Sequence, residues 1–184
     1  MAFQEAAHTI LGELDQVLSQ VSESEVDKAI ELINGCDKIF FNALGRAGFM
    51  GKSFVMRLMH MGREVYVVGE TNTPNFGPDD LLIICSGSGS TKQFVDIANK
   101  AKSLGGKVLV ITGTPGSPLT QIADGSLVLK SPSKNQAESA FSSVQPMASL
   151  FEQSILLAGD SIVLELMARS TTGEEMFKRH LNLE

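Results

Sequence analysis

The residues best suited to chemistry stand in one run, Leu81–Thr91, reading LLIICSGSGST. Five apolar residues, Leu81–Cys85, predict a buried strand. Ser86-Gly87-Ser88-Gly89-Ser90-Thr91 follows, and a helical pattern starts at Lys92. A strand that passes through small residues into a helix gathers free backbone N–H groups at one point, where the helix dipole is positive. Gly87 and Gly89 let the backbone approach a ligand closely. Ser86, Ser88, Ser90 and Thr91 add hydroxyl donors. Together they make a phosphate cradle. The plainer alternative is a strand-to-helix turn with Ser90 or Thr91 as N-cap. Such a turn needs one cap and one glycine, and this run holds four hydroxyls and two glycines.

Two better-known phosphate loops do not fit. A dinucleotide fingerprint needs a third glycine where Lys92 stands, and an acid after the next strand, which ends Ile111-Thr112-Gly113. A Walker loop is nearly met at Gly51-Lys52-Ser53, but its first glycine would fall on Arg46, and Gly45 is one residue early.

Glu152 is the acid of most interest, being the only charged residue between Pro146 and Gly159. Apolar neighbours raise a carboxylate's pKa and suit it to general base work. Equally, Glu152 aligns with Gln145, Ser149, Gln153 and Asp160 at helical spacing, a stripe that could face water. His60 and Arg57 share a helix face, among Met50, Met56, Met59 and Met61. Those methionines suit a core or a subunit contact. His180 stands beside Arg179 near the last residues. Arg46 could bind an anion bidentately or pair with an acid. His8, His60 and His180 are too dispersed for a metal motif, and no nucleophile elbow surrounds Ser88, so a metal centre and a Ser-His-Asp hydrolase are disfavoured.

These groups must be positioned by alternating elements. Phe3–Val21 carries the apolar spacing of an amphipathic helix. Ser22 and Glu25 form a capping box for a second helix, which Gly35 ends. Lys38–Leu44, Glu64–Val68, Leu81–Cys85, Lys107–Thr112 and Ser126–Leu129 read as strands. Between them, Phe49–Met61, Lys92–Leu104 and Pro118–Ala123 read as helices, with Gly45-Arg46-Ala47-Gly48 a second glycine-rich turn. Gly69–Asp80 and Ser131–Ala137 read as loops. Pro146–Arg169 reads as one long helix, and Thr172 with Glu175 caps a last one. Strands alternating with helices imply an α/β fold, a parallel sheet covered on both faces. Ligands in such sheets sit beyond the carboxyl ends of strands, where both glycine-rich turns lie.

The chain's 184 residues suit one domain. A net charge of −6 argues against a nucleic-acid surface, so local groups must hold any anion. Cys36 and Cys85 read as reduced thiols of a cytoplasmic protein. Neither a signal peptide nor a membrane-spanning run is expected.

These pieces resemble the sugar isomerase (SIS) domain family, and within it the 6-phospho-3-hexuloisomerases. The resemblance spans nearly the whole chain. It is carried by Gly45-Arg46 with Gly48, Met56–Gly62, Gly69-Glu70-Thr71 with Thr73-Pro74, and Ser86–Thr91. Pro146-Met147, Leu150–Gln153 and Arg179–Glu184 complete it. It implies a three-layer sandwich with a five-stranded, parallel, flavodoxin-like sheet over residues 1–184. It also implies interconversion of D-arabino-hex-3-ulose 6-phosphate and fructose 6-phosphate through a cis-enediol, in formaldehyde fixation by the ribulose monophosphate route. Other aldose–ketose phosphosugar isomerases and non-catalytic sugar-phosphate modules share the domain. On this model Ser86, Ser88 and Thr91 hold the phosphate, Gly87 and Gly89 offer backbone, and Gly45 and Arg46 contribute from the first turn. Glu152 is the base, and His60 or His180 assists, from the same or a neighbouring subunit. The family implies no metal or cofactor, a homotetramer, and metabolic coupling to hexulose-6-phosphate synthase. One departure is Ala47, where the family usually has serine. A lost hydrogen bond to a charged group is worth about 1.5–3 kcal/mol.

Overall fold

A computed structural model describes residues 1–132 and 142–183. In chain order the elements are α1 (Phe3–Leu18), α2 (Glu23–Asn34), β1 (Lys38–Asn42), α3 (Gly45–His60), β2 (Glu64–Val67) and β3 (Leu81–Ser86). Then come α4 (Lys92–Ser103), β4 (Lys107–Thr112), α5 (Pro118–Ile122), β5 (Gly125–Val128), α6 (Ser149–Ser170) and α7 (Gly173–Phe177). From residue 133 onward, the loop expected at Ser131–Ala137 lies outside the described residues.

The strands form one parallel sheet in the order β2-β1-β3-β4-β5. Side chains alternate between its faces. Leu81, Ile83 and Cys85 of β3 join the core beneath α1, α2, α3 and α6, while Leu82 and Ile84 join the core beneath α4 and α5. Leu109 and Ile111 of β4 divide from Val108 and Val110 in the same way. A strand buried on both faces must be apolar throughout, which is why β3 and β4 read as continuous hydrophobic runs. The sheet order places β2 and β3 on opposite sides of β1, so a crevice opens beyond the carboxyl ends of β1 and β3.

Several boundaries differ from the sequence expectation. The run Gly45-Arg46-Ala47-Gly48 is the first turn of α3 rather than a separate loop, with Gly45 at φ 59°. Helix α6 begins at Ser149 rather than Pro146, because Met147 adopts φ 54° and cannot continue a helix. The segment ahead of it is tied to α1. Glu13 accepts from Ser143 Oγ at 2.7 Å, Val144 N at 2.8 Å and Gln145 Nε2 at 2.9 Å. These bonds, acting against burial, hold the Glu13 carboxyl below the usual range. The capping box at Ser22 does not form. Ser22 Oγ meets Ser24 Oγ at 2.8 Å, and Glu25 instead accepts from Val128 N of β5 at 3.0 Å. Strand β5 lies at the sheet edge, and a carboxylate there satisfies an amide that has no further strand to meet.

The near-Walker run also resolves. Gly51 lies mid-helix, where a Cβ would collide with the ring of Phe41, and Lys52 pairs with Glu70 at 3.2 Å. The glycine serves helix-on-sheet packing. Cys36 and Cys85 are both free, and full burial pushes the Cys85 thiol pKa far upward. Among the described residues no helix is long and apolar enough to cross a membrane.

Asp124 pins α4 to the sheet. Its carboxylate accepts from Lys102 Nζ at 2.7 Å and from Val108 N at 2.8 Å. Burial opposes the charge, but these bonds outweigh it and hold the carboxyl below its ordinary value. Such a group stabilises the fold above the unfolded pKa, and its contribution is lost as pH falls through the depressed folded value. Asp124→Asn should therefore unfold more easily in urea at pH 7, by about 1.5–3 kcal/mol. The gap to wild type should close as pH drops below about 4. A gap that persists unchanged in acid contradicts this role.

Candidate active site

The cradle is built by turning carbonyls inward. Gly87 O accepts from Gly113 N at 3.1 Å, Thr114 Oγ1 at 3.0 Å and Thr112 Oγ1 at 3.3 Å. Gly89 O accepts from Leu119 N at 3.0 Å. In a trans peptide the C=O and the following N–H point in opposite directions. Turning the Gly87 and Gly89 carbonyls toward the β4–α5 connection thus turns the amides of Ser88 and Ser90 outward. Gly89 sits at φ 59°, and a Cβ there would collide with Ser117 Oγ. Only glycine meets both demands. Ser86 is buried at the strand end, while Ser88, Ser90 and Thr91 are exposed. Thr91 occupies the N-cap position of α4, yet its hydroxyl makes no capping bond to the helix. Thr91 is thus the N-cap that the plainer reading expects, but without a side-chain cap, so its hydroxyl is not spent on the first amides of α4.

Helix α6 brings Glu152 to this crevice. The preceding residue, Phe151, is fully buried and lies against Gly87, where an added Cβ would stand 3.3 Å from its ring. Glu152 Oε2 accepts from Arg46 Nη1 at 2.6 Å, with the Glu152 side chain 14% exposed and that of Arg46 46% exposed. The carboxylate is thus paired with a guanidinium rather than enclosed by apolar side chains. Of the residues Glu152 aligns with, Gln145 is buried and Gln153 Oε1 is a buried acceptor with no partner among the described residues, while Asp160 is exposed. Gly45 and Arg46 open α3, so the first turns of α3, α4 and α6 converge beyond β1 and β3. Ala47 is half-buried and packs its methyl against the core.

His60 and His180 are brought to each other, not to the cradle. Their rings stack with centroids 5.4 Å apart, and Phe177 stacks on His180 at 6.0 Å. His60 is 3% exposed, and Arg57 Nη1 donates to its Nδ1 at 3.3 Å. Arg179 Nη1 donates to His60 O at 3.3 Å. Burial first, then the charges of Arg57 and His180, push the His60 pKa below the ordinary histidine value. Helices α3 and α6 run side by side in the same direction: Arg46 meets Glu152, Phe54 meets Gly159, and His60 lines one groove with Val163 and Met167. His60 ends the 16-residue α3 that Gly45 begins, so it lies about 22 Å from the cradle end. The histidines line a groove of about 420 Å³ with Arg57, Asp160, Met167 and Phe177. Within one chain, the expected base and the expected histidines occupy opposite ends of the same helix pair.

Thr112, Thr114 and Ser117 back the turn, and Glu13 ties down the segment ahead of α6, without having stood out in the sequence. Small hydroxyl residues straight after a buried strand, as in Thr112-Gly113-Thr114, were the available signal. Ser117 is 4% exposed, and its Oγ has no hydrogen-bond partner among the described residues. Glu13 reads as an ordinary polar position of α1, and nothing local marks its reach across the chain.

Residues 32–157 match the SIS domain model. The chain is 43% identical over 178 residues to a 3-hexulose-6-phosphate isomerase of Bacillus subtilis, covering 95% of each. It is 38% identical to a protein of the same name from Methanocaldococcus jannaschii, covering 88% of this chain and 85% of that one. A crystal structure from Methanococcus jannaschii, of a protein whose molecular function was inferred as 3-hexulose-6-phosphate isomerase, superposes with a TM-score of 0.81. It is 34% identical and covers 98% of this chain and 99% of that one. With its sheet order, its serine-lined strand-to-helix turn and this similarity, the chain belongs to the SIS domain family.

Proposed function

We propose that this chain is a 3-hexulose-6-phosphate isomerase, moving the carbonyl of a ketohexose 6-phosphate between C3 and C2. The observations that support the mechanism are the packing of Phe151, the residue before Glu152, on Gly87 and the pairing of Glu152 with Arg46 at the start of α3. The phosphate is held by the outward amides of the Ser86–Thr91 turn and the hydroxyls of Ser86, Ser88 and Thr91, with Gly87 and Gly89 permitting its approach. Anchoring that end orients the reacting carbons near Glu152. Glu152 takes the proton from C2 of hex-3-ulose 6-phosphate, giving a cis-enediol, and returns it to C3. Arg46 holds the carboxylate in place and, with Gly45 at the start of α3, contributes to binding the sugar phosphate.

A neighbouring subunit supplies His60 and His180. The support is twofold. The two histidines cannot reach the cradle of their own chain. In addition, α3 exposes Phe49, Met56 and Met59, and α6 exposes Leu164, on surfaces suited to a second copy. The assembly we propose is a tetramer. We read residues 1–184 as one domain, because Leu14 and Val17 of α1 and Met176 of α7 share a core with the matched region. The free cysteines suit a cytoplasmic enzyme. Its substrate would arise from an aldol addition of formaldehyde to a pentulose phosphate, which gives a 3-ketose by the action of a hexulose-6-phosphate synthase.

Glu152→Gln should lower turnover by at least 10³-fold in a coupled assay that converts hex-3-ulose 6-phosphate and reads fructose 6-phosphate, while fructose 6-phosphate still raises the melting temperature. Near-normal turnover would remove Glu152 from the role of base. Gly89→Ala should act on binding. The strained φ and the collision with Ser117 should cost about 1–3 kcal/mol and abolish the melting shift given by fructose 6-phosphate. A variant that binds as wild type would show that the glycine does not shape the cradle.

A further inference from the structure

We infer that Arg57 is a positioning residue that fixes the tautomer of His60, keeping its proton on Nε2 so that the ring serves as a hydrogen-bond donor to a substrate oxygen while Glu152 remains the sole carbon base. This rests on the isomerase reading above.

A guanidinium has donors only. The 3.3 Å contact from Arg57 Nη1 therefore requires an unprotonated Nδ1 on His60. A neutral imidazole with an accepting Nδ1 carries its proton on Nε2. Arg57 and His60 are three residues apart on α3, so helix geometry maintains the pair. His60 is held from two further sides. Arg179 binds its backbone oxygen at 3.3 Å, and the rings of His60 and His180 stack at 5.4 Å. Among the described residues, the charged and titratable groups around it are Arg57 from α3, Asp160 from α6, and Arg179 and His180 after α7. Three of these four are basic, so a second positive charge on His60 is disfavoured, in line with the downward shift that burial causes. Asp160 is exposed and is the one acid of the set.

The assignment completes the proton accounting. As Glu152 removes the C2 proton, negative charge grows on O3. Where assembly uncovers the Nε2 edge of His60, only 3% exposed in the single subunit, a neutral Nε2–H can give its proton to O3 and recover the one leaving O2, so the ring ends as it began. A charged imidazolium in the same place would bind the oxyanion more strongly, but it would have no vacancy for the O2 proton until it had lost its own. Triosephosphate isomerase uses a neutral histidine in this manner. Arg57 is exposed in the subunit, so replacing it leaves the core intact.

The test uses the intact assembly labelled with ¹⁵N in histidine only, with His8 and His180 assigned by substitution. At pH 7 the His60 resonances should show an unprotonated Nδ1 and a protonated Nε2. Arg57→Met should mix the tautomers, raise the midpoint of the His60 titration, and lower kcat about tenfold or more with little change in KM. Arg57→Lys, which restores a donor, should recover part of both. A protonated Nδ1 in the wild type, or an Arg57→Met enzyme with unchanged tautomer and kcat, overturns the inference. Failure of the isomerase reading is seen separately, as a wild-type protein that forms no fructose 6-phosphate whatever the state of His60.

Discussion

The site depends on two peptide carbonyls facing away from it. Gly87 O is taken up by one amide and two threonine hydroxyls, and Gly89 O by the amide of Leu119. While those bonds stand, the amides of Ser88 and Ser90 are turned to the other side, where Ser90 N also meets Ser88 Oγ at 3.4 Å. An anion there meets donors that are already aligned and need no reordering. The donors come from a turn whose two ends are fixed by the most buried strand of the sheet and by α4. Net charge contributes nothing to this, since the chain is acidic overall. Any anion held at this turn would be held by local backbone geometry.

The parallel pairing of α3 and α6 is the second organising feature. It carries Arg46 and Glu152 to the carboxyl end of the sheet and His60 to the opposite end. One helix pair thus presents two chemically different surfaces, and a catalytic centre that uses both must draw them from two copies. The exposed methionines and phenylalanine of α3 suit that arrangement, because they lie along the same helix that separates the two ends. The tail reinforces it. Arg179 and His180 dock on the last turn of α3 and help to line the groove there.

Much of this is legible in the sequence, for physical reasons. Strands β3 and β4 are buried on both faces, so an unbroken apolar run was the only pattern they could carry. The serine–glycine turn after β3 was visible because small residues stand there in number. The boundaries of α3 and α6 were less visible. A glycine at positive φ opens α3 as its first residue, and Met147, a residue type with no preference for the left-handed region, stops α6 short of Pro146. Glu25 had every local mark of a capping box, yet it answers an edge-strand amide more than a hundred residues away. Long-range pairings of this kind leave no trace in local spacing. The separation of Glu152 from the histidines is likewise a property of helix direction, which the sequence states only once the sheet order is known.

The central claim is spatial: a phosphate seated on the Ser86–Thr91 turn places the reacting carbons at Glu152. A crystal structure of the assembled protein with fructose 6-phosphate tests it directly. The phosphate should lie within hydrogen-bond distance of the Ser88 amide and the Thr91 hydroxyl, with C2 or C3 about 3–3.5 Å from a Glu152 oxygen. A phosphate bound away from that turn, or a sugar chain directed away from Glu152, would contradict the account.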